Sequence, residues 1–383
     1  MSAHPDGFPT LTVRGGGWII VAFALVLGGF LAWAVSGIFI GERPVGGGSD
    51  PASYGFRLEP LAVPRETLVG TGNPRDFLAP LDMPATIRGS EVLRWNQEHR
   101  GKLVVSNDRV AGVVVNGEAR AYPLAMLNAH EVINDVLGGV PVAVTFSPLT
   151  DSLVVFDRRV GGAERMFGVS GLLLDSNLVL YDRASAVPGA PAAAAPGSAA
   201  AASHEPSLWA QLPMRAIAGP AAAEGLRLTA LPDANICSWR MWSAAWPDTT
   251  VILGDPSQSK RYKELSYARY CLTPRVDFPV AGLMPASPEP QSADAAVEAA
   301  RAGAPRTRKA AVVEVREPGA RATFSLAELA AKAGDGERTE VTVGGRAFDV
   351  TVQRAPLAAL VRARDGGPAM VVPQLWFAWR DRE

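Results

Sequence analysis

The segment HEVIND contains the residue types most able to carry chemistry in this chain. Histidine titrates near neutrality and carboxylates can orient it, so His130, Glu131, Asn134 and Asp135 could bind a metal or move protons. An offset of four residues falls on one face of either a helix or a strand, which predicts that His130 pairs with Asn134 and Glu131 with Asp135. The alternative is that these side chains satisfy the amides of the following turn.

A short polar loop follows this segment. Two strand-like runs, Val140–Phe146 and Leu153–Phe156, flank the loop Ser147–Asp151. Loops at strand ends are where globular proteins usually place functional residues. We therefore add Ser147, Thr150 and Asp151 to the candidate ligand or metal site.

A serine hydrolase is an alternative from the same residues. Ser147 or Ser170 would be the nucleophile and His130 the base, as acyl transfer requires. Ser170 lies in the sequence GVSG, which lacks the full Gly-x-Ser-x-Gly spacing. Neither a catalytic residue nor a cofactor is identified by these patterns.

The surrounding pattern is mostly short strands. Asn116-Gly117 and Gly344-Gly345 each interrupt apolar runs in the way of a hairpin turn, and helix signals are confined to the residues after Pro123 and to Phe324–Ala333. No alternating βαβ rhythm is present. The sequence predicts an α+β fold, mainly antiparallel β-sheet with short helices, preceded by one N-terminal transmembrane helix.

The transmembrane prediction rests on Trp18–Ile40, which are 23 residues without a charge and long enough to cross a hydrocarbon core of about 30 Å. The alternative is a signal peptide cleaved after Ala34. A short tail, residues 1–17, precedes the span. With that tail inside, the rest of the chain is expected outside the cytoplasm, in the periplasm, as a single-pass membrane protein.

The remainder divides by composition. Residues 41–60 begin with a Gly-rich run and are predicted to form a flexible tether, and residues 61–383 form the globular domain. Ala/Pro/Ser-rich stretches at 184–206 and 285–307 are predicted to be exposed loops within it.

Charge and cysteine content limit the partners. The chain has 37 basic and 38 acidic residues and so lacks the basic excess that is typical of nucleic-acid-binding proteins. No nucleic-acid partner is therefore expected, whereas the membrane is an expected partner. Cys237 and Cys271 could form a disulfide in an oxidising compartment, although buried free thiols are the commoner arrangement.

Several ordered motifs resemble one protein family. The segments ARAYPLAMLNAHEVIND, VTFSPLTDSLVVFDR, FGVSGLLLDSNLVLYDR, SLWAQ and LWFAW are similar to the bacterial and archaeal family called Domain of Unknown Function 3179, over most of Gly89–Trp379. The resemblance implies an exported or membrane-anchored protein of uncharacterised activity.

The chain departs from the family pattern at the loop. Where members typically have Tyr-Cys-Pro-Leu-Cys, this chain has Phe146, Ser147, Pro148, Leu149 and Thr150, which excludes thiolate chemistry there. Three functions remain open: small-ligand or metal binding around the His/carboxylate cluster, a non-catalytic scaffold or interaction module of the cell envelope, and a serine hydrolase.

Overall fold

The computed structural model describes residues 23, 25–27, 45–99, 102–183, 205–264, 267–334 and 337–379. Contacts divide the chain into two units, Met1–Pro44 and Val45–Glu383. In the first unit, residues 23 and 25–27 are helical, and the rest of the predicted span Trp18–Ile40 lies outside the described residues. No helix among the described residues is long and apolar enough to cross a membrane.

The described residues of the second unit form five sheets and one two-stranded ribbon, with strands numbered in chain order. The first sheet has the order β1 (Leu68–Gly70), β11 (Met166–Leu174), β12 (Asn177–Arg183), β13 (Leu208–Ala210), β14 (Arg215–Ala218). The second has β15 (Thr229–Ala230), β8 (Ser152–Asp157), β7 (Val140–Ser147), β6 (Val132–Leu137), β2 (Leu81–Asp82). The third has β16 (Ala234–Ser238), β4 (Arg109–Val115), β5 (Glu118–Pro123), β17 (Thr250–Ile252), β3 (Thr86–Arg88).

Two smaller sheets lie toward the C-terminus. They are β19 (Ala320–Ser325), β18 (Ala311–Glu317), β23 (Met370–Leu375), and β20 (Arg338–Val343), β21 (Arg346–Gln353), β22 (Ala358–Ala363). The ribbon pairs β9 (Arg159–Val160) with β10 (Ala163–Glu164). Strand pairing is antiparallel except for β5 with β17 and β2 with β6.

The helices are short. They are α1 (Val92–Glu98), α2 (Leu124–His130), α3 (Pro220–Ala223), α4 (Trp239–Ala245), α5 (Arg261–Glu264), α6 (Ala268–Cys271), α7 (Ala293–Arg301) and α8 (Leu326–Ala333). Single 3₁₀ turns occur at Pro51–Tyr54, Arg65–Thr67, Gly89–Glu91, Pro256–Gln258 and Trp376–Ala378. The predicted α+β fold with mainly antiparallel sheets and short helices is confirmed for this unit.

The second sheet is the middle layer between the first and the third. Along β7, Val142 and Val144 belong to a hydrophobic cluster shared with the third sheet, whereas Ala143 between them belongs to a cluster shared with the first. Side chains alternate between the faces of a strand, so both faces of this sheet are buried against other sheets. The strands are therefore almost continuously apolar instead of alternating with polar residues.

Two further hydrophobic clusters complete the unit. One lies between the two small C-terminal sheets, α7 and α8. The other covers the first sheet and includes Tyr54, Phe56 and Leu58. All four clusters lie in Val45–Glu383, which therefore has a core of its own.

Both predicted hairpins are present. Asn116 and Gly117 have φ of 50° and 82°, which is the left-handed backbone of a type I′ turn, and Val115 pairs with Glu118 on either side of them. Gly344 and Gly345 connect β20 to β21, where Val343 pairs with Arg346. The local turn chemistry determined these two registers.

Two predictions about flexible segments differ from the structure. Within residues 41–60, Pro51–Tyr54 form a 3₁₀ turn and Tyr54 is fully buried against the first sheet, because the apolar residues that follow the glycines find a core to join. Within 285–307, α7 forms and buries Val297. Ser292 accepts a hydrogen bond from the Ala295 amide at the start of that helix, and alanine has the highest helix propensity.

The insertion at 184–206 falls mostly outside the described residues, but its two ends are next to each other. Asp182 and Ser207 are joined by a hydrogen bond from the Ser207 amide to Asp182 Oδ1 of 2.7 Å, on antiparallel neighbours β12 and β13. A short connection would therefore reach from one strand to the other.

We expect replacement of residues 184–204 by a four-residue turn to change the free energy of unfolding by no more than about 1.5 kcal/mol, because loop-closure entropy varies slowly with loop length. Urea unfolding of the two chains measures this difference. A Gly/Ser segment of the original length serves as the control for composition. A loss of several kcal/mol on shortening would show that the insertion contributes to the core.

Candidate functional site

His130 is the last residue of α2, and both of its ring nitrogens are engaged. Nδ1 lies 2.7 Å from the Ala79 carbonyl and Nε2 lies 2.9 Å from the Tyr262 hydroxyl. The amide of Asp255 donates to that same hydroxyl at 2.8 Å, so the tyrosine proton is free to point at Nε2. This assigns the neutral tautomer with the proton on Nδ1. Burial lowers the pKa of His130, which agrees with a neutral ring.

Glu131 is the point where the helix ends and the strand begins. Its φ of 55° is left-handed, its amide donates to the Leu127 carbonyl, and its carbonyl accepts from the Phe146 amide of β7. Desolvation raises the pKa of its carboxyl to about 8, although the nearby Arg261 guanidinium acts in the opposite direction. Glu131 is therefore largely protonated at neutral pH.

Asn134 and Asp135 lie on opposite faces of the middle sheet. The Asn134 amide group donates to the Phe167 carbonyl at 2.9 Å and its oxygen accepts from the Phe167 amide at 3.0 Å, toward the first sheet. Asp135 accepts from Arg120 at 2.6 Å and from the Tyr122 hydroxyl at 2.8 Å, toward the third sheet. Each joins two layers of the fold.

The predicted face-sharing of His130 with Asn134 and of Glu131 with Asp135 was therefore wrong. The argument assumed one regular element, but the chain changes from α2 to β6 at Glu131, where the backbone is left-handed. Residues four positions apart do not have to share a face when such a junction lies between them. His130 and Glu131 lie at one end of the sheet, and the other two side chains are committed to packing between sheets.

Ser147 and Thr150 belong to a buried hydrogen-bond network between the middle and first sheets. Ser147 Oγ accepts from the Leu178 amide at 3.2 Å, and Thr150 Oγ1 lies 2.9 Å from both Ser152 Oγ and Asn177 Nδ2. The same Asn177 amide group lies 2.8 Å from Gln211 Oε1. Ser147 and Thr150 are 2% and 0% exposed, so neither side chain is accessible from solvent.

The hydroxyl geometry gives no support to a serine hydrolase. Ser170 Oγ donates to the Val179 carbonyl at 2.6 Å and accepts from the Leu172 amide at 3.0 Å, inside the first sheet. His130, the proposed base, uses Nε2 for Tyr262. The nucleophile–base contact that the mechanism needs is not formed by either candidate serine.

Asp151 is the polar residue of the loop that reaches solvent. Its φ of 47° turns the chain out of the middle sheet, and its carboxylate accepts from Arg109 at 2.7 Å, at the start of β4 in the third sheet. The Asp151 side chain is 13% exposed and that of Arg109 is 39% exposed. This ion pair stands at the wall of a cleft.

The cleft has a volume of about 420 Å³. One wall is the loop region, with Phe146, Pro148 and Asp151, and another is α2, with Leu124, Ala125 and Asn128. A third wall comes from Tyr262, Lys263, Tyr267 and Cys271, and the rest of the lining from Leu103, Asn107–Arg109 and Pro356. The predicted loop and the helix that precedes HEVIND thus flank the same cavity, although most of their predicted polar side chains point elsewhere.

Sequence reasoning missed Arg109, Tyr262, Tyr267 and Cys271. No motif marks them, because they come from two distant segments that only the fold brings together. The hairpin signal at Asn116-Gly117 located β4, but it gave no indication that Arg109, at the start of that strand, would meet Asp151.

Cys237 and Cys271 are both free, so the disulfide considered from the sequence is not formed. Burial raises the pKa of the Cys237 thiol to about 12 and that of Cys271 to about 11. Within the described ranges, no group of three or more His, Cys, Asp or Glu residues is arranged to hold a metal ion.

These features define a layered β-rich domain with an enclosed polar network and a cleft at one end of its middle sheet. Residues 93–188 and 203–381 match the model of the family described as Protein of unknown function (DUF3179), and the chain belongs to this family. The interruption between the two matched segments lies inside the Ala/Pro-rich insertion. No curated protein and no solved structure matches the chain.

The raised pKa of Glu131 predicts a pH dependence of stability. Between about pH 4.5 and about pH 8 the folded chain keeps a proton on this carboxyl that the unfolded chain releases, so the stability contribution of Glu131 falls as the pH rises through this window. We therefore expect the free energy of unfolding of Glu131→Gln, relative to that of the native chain, to be higher at pH 9 than at pH 5.

Urea unfolding of both chains at the two pH values measures this difference. Glu224→Gln, a substitution at an exposed position after α3, is the matched control and should follow the native profile. Parallel profiles for Glu131→Gln and the native chain would contradict the protonation assigned to Glu131.

Proposed function

We propose that this chain is a single-pass membrane protein whose Val45–Glu383 unit binds a small molecule outside the cytoplasm, in the cleft beside Asp151. The observation that carries the binding proposal is the cleft itself, a cavity of about 420 Å³ with a charged pair and two tyrosines in its walls. Ligand pockets are concave, mostly apolar and furnished with a few polar groups, and cavities of about 300–1,000 Å³ are typical.

The groups in the walls favour an organic ligand. Phe146, Tyr262 and Tyr267 offer aromatic surface, while Arg109 and Asn128 offer polar atoms. The Glu131 carboxyl is largely protonated at neutral pH, and it lies close enough to Tyr267 for its ionised form to raise the pKa of that hydroxyl. Perturbed carboxyls next to cavities are typical of functional sites, which supports the cleft as the site of action.

Because both ring nitrogens of His130 are hydrogen-bonded, this proposal gives His130 a positioning role. Through Tyr262 it holds α5, and α5 packs against α2 across the rim of the cleft. Its two hydrogen bonds leave no nitrogen for a metal ion. We therefore propose binding of an organic molecule rather than of a metal at this site.

The membrane part of the proposal rests on sequence. Trp18–Ile40 is apolar, uncharged and of spanning length. An export signal and an envelope location accord with the family resemblance.

Filling the cleft should abolish binding. Ala125 is exposed and lines the cleft, so Ala125→Trp places an indole in the cavity without disturbing the core. We expect native mass spectrometry of the purified chain to detect a bound small molecule that is lost in Ala125→Trp. Ala223→Trp, an exposed alanine on α3 that does not line the cleft, is the matched control and should keep it.

An adduct retained equally by both variants would place the ligand elsewhere, and a native chain that carries no small molecule would contradict the proposal. Circular dichroism of each variant establishes that the fold is kept.

Location is tested separately. Protease added to intact spheroplasts should digest the Val45–Glu383 unit, because the proposed topology exposes it on the outer side of the membrane. A cytoplasmic protein of the same cells controls for lysis. Full protection of the unit in intact spheroplasts, followed by digestion after lysis, would place it inside the cytoplasm.

A further inference from the structure

A second cavity joins the cleft at the Arg109–Asp151 pair. It has a volume of about 460 Å³ and extends between α7 and α8. Arg109, Asp151, Cys271 and Pro356 line both cavities, so the two meet around these side chains. We call the second cavity the α7–α8 channel.

The lining of the α7–α8 channel is largely aliphatic. Alanines of α7 form one side, and Leu326 and Ala327 of α8 with Leu357 form much of the other. The small alanine side chains leave open a volume that leucines at the same positions would fill. The surface suits an unbranched aliphatic group better than a polar one.

The charged side chains around the channel are mostly satisfied by protein partners. Arg306 makes two hydrogen bonds of 2.7 Å to the Glu328 carboxylate. Lys309 Nζ donates to the Tyr270 carbonyl at 2.6 Å, and Glu289 accepts from the Lys309 amide at 3.1 Å. Lys309 and Glu289 are also only 5% and 4% exposed, so they are less accessible to a ligand than Arg109 is.

Arg109 is different. It donates to Asp151 through one Nη, and a guanidinium has five N–H donors. The side chain is 39% exposed at the meeting point of cleft and channel. Planar guanidinium groups bind carboxylates through two parallel hydrogen bonds, so Arg109 has the donors for a second carboxylate beside Asp151.

We propose that the ligand of the cleft is a single-chain fatty carboxylate, with its carboxylate on Arg109 and its aliphatic chain in the α7–α8 channel. This deepens the proposed function and rests on it. The cleft supplies the mouth and the polar end, and the channel supplies the apolar length.

The channel volume sets the chain length. It corresponds to about fifteen groups of the size of a water molecule, taken as ~30 Å³ each, and a methylene group is of similar size. Because a flexible chain does not fill a cavity completely, the fit is to about ten to twelve carbons. Longer chains would have to leave part of their length in water.

Isothermal titration calorimetry with sodium hexanoate, octanoate, decanoate and dodecanoate tests the proposal. The Val45–Glu383 unit is used, because it has its own core and needs no detergent that would compete for the channel. Each added methylene should raise the affinity about fourfold until the channel is full, which follows from about 0.8 kcal/mol per buried methylene. Decanol is the uncharged comparison and should bind at least tenfold more weakly than decanoate.

Variants locate the two ends of the ligand. Ala299→Trp fills the channel and should remove decanoate binding, whereas Ala295→Trp, on the exposed side of the same helix, should leave it unchanged. Arg109→Gln should reduce the affinity for decanoate at least tenfold and leave that for decanol nearly unchanged. Arg109→Gln/Asp151→Asn should do the same, which separates loss of the donor from an unpaired Asp151.

The outcomes separate this inference from the proposed function. A small molecule lost in Ala125→Trp, together with no chain-length dependence and no effect of Ala299→Trp, would overturn the fatty carboxylate and leave the cleft as a binding site. Equal binding of decanol and decanoate would overturn the role of Arg109. Affinity that keeps rising with chain length in both tryptophan variants would indicate non-specific adsorption and would overturn the channel.

Discussion

The burial of the middle sheet on both faces is the constraint on which the rest of the structure depends. A polar side chain in the interior of this sheet cannot reach water, and an unpaired polar group buried there would cost about 1–3 kcal/mol. Each must therefore find a partner in the layer above or below. Asn134 bonds to Phe167 of the first sheet and Asp135 to Arg120 of the third for this reason.

The same constraint accounts for Arg158, a fully buried arginine. It donates to the backbone carbonyls of Val142 and Asp135 and forms an ion pair with Glu164 at 2.8 Å. A guanidinium can satisfy several acceptors at once because its donors point in fixed directions. The polar residues of the middle sheet hold three layers in register, and the charged pair of Asp151 and Arg109 reaches solvent at one end of the sheet.

The hairpin turns could be predicted from the sequence, but the order in which the sheets are stacked could not. Asn116-Gly117 fixes a hairpin through local backbone preferences, and the hairpin is observed. The runs at β7 and β8 are apolar on both faces, so the hydrophobic pattern predicted strands but did not indicate which sheets pack against those faces. The change from helix to strand at Glu131 left no local signal, and it was this change that separated His130 from Asn134.

The cleft was harder to foresee than the sheets for a related reason. The segment Ser147–Asp151 does lie at the turn between β7 and β8, yet Ser147 and Thr150 turn inward while Asp151 turns outward. Only the positive φ of Asp151 separates the two directions, and sequence spacing does not encode it. The helix within 285–307 shows the limit of composition: alanine-rich sequence reads equally as low complexity or as helix, and packing of Val297 decides the matter.

The inward direction of Ser147 and Thr150 also bears on the replacement of the cysteines that resembling sequences carry there. In this chain the two positions accept hydrogen bonds from the Leu178 amide and from Asn177, inside a network that continues to Gln211. A hydroxyl is a stronger hydrogen-bond partner than a thiol, so serine and threonine satisfy these amides better than cysteines would. The substitution thus favours a fixed contact between two sheets over thiol reactivity. It leaves Cys271, at the junction of the cleft and the α7–α8 channel, as the thiol nearest to a cavity among the described residues.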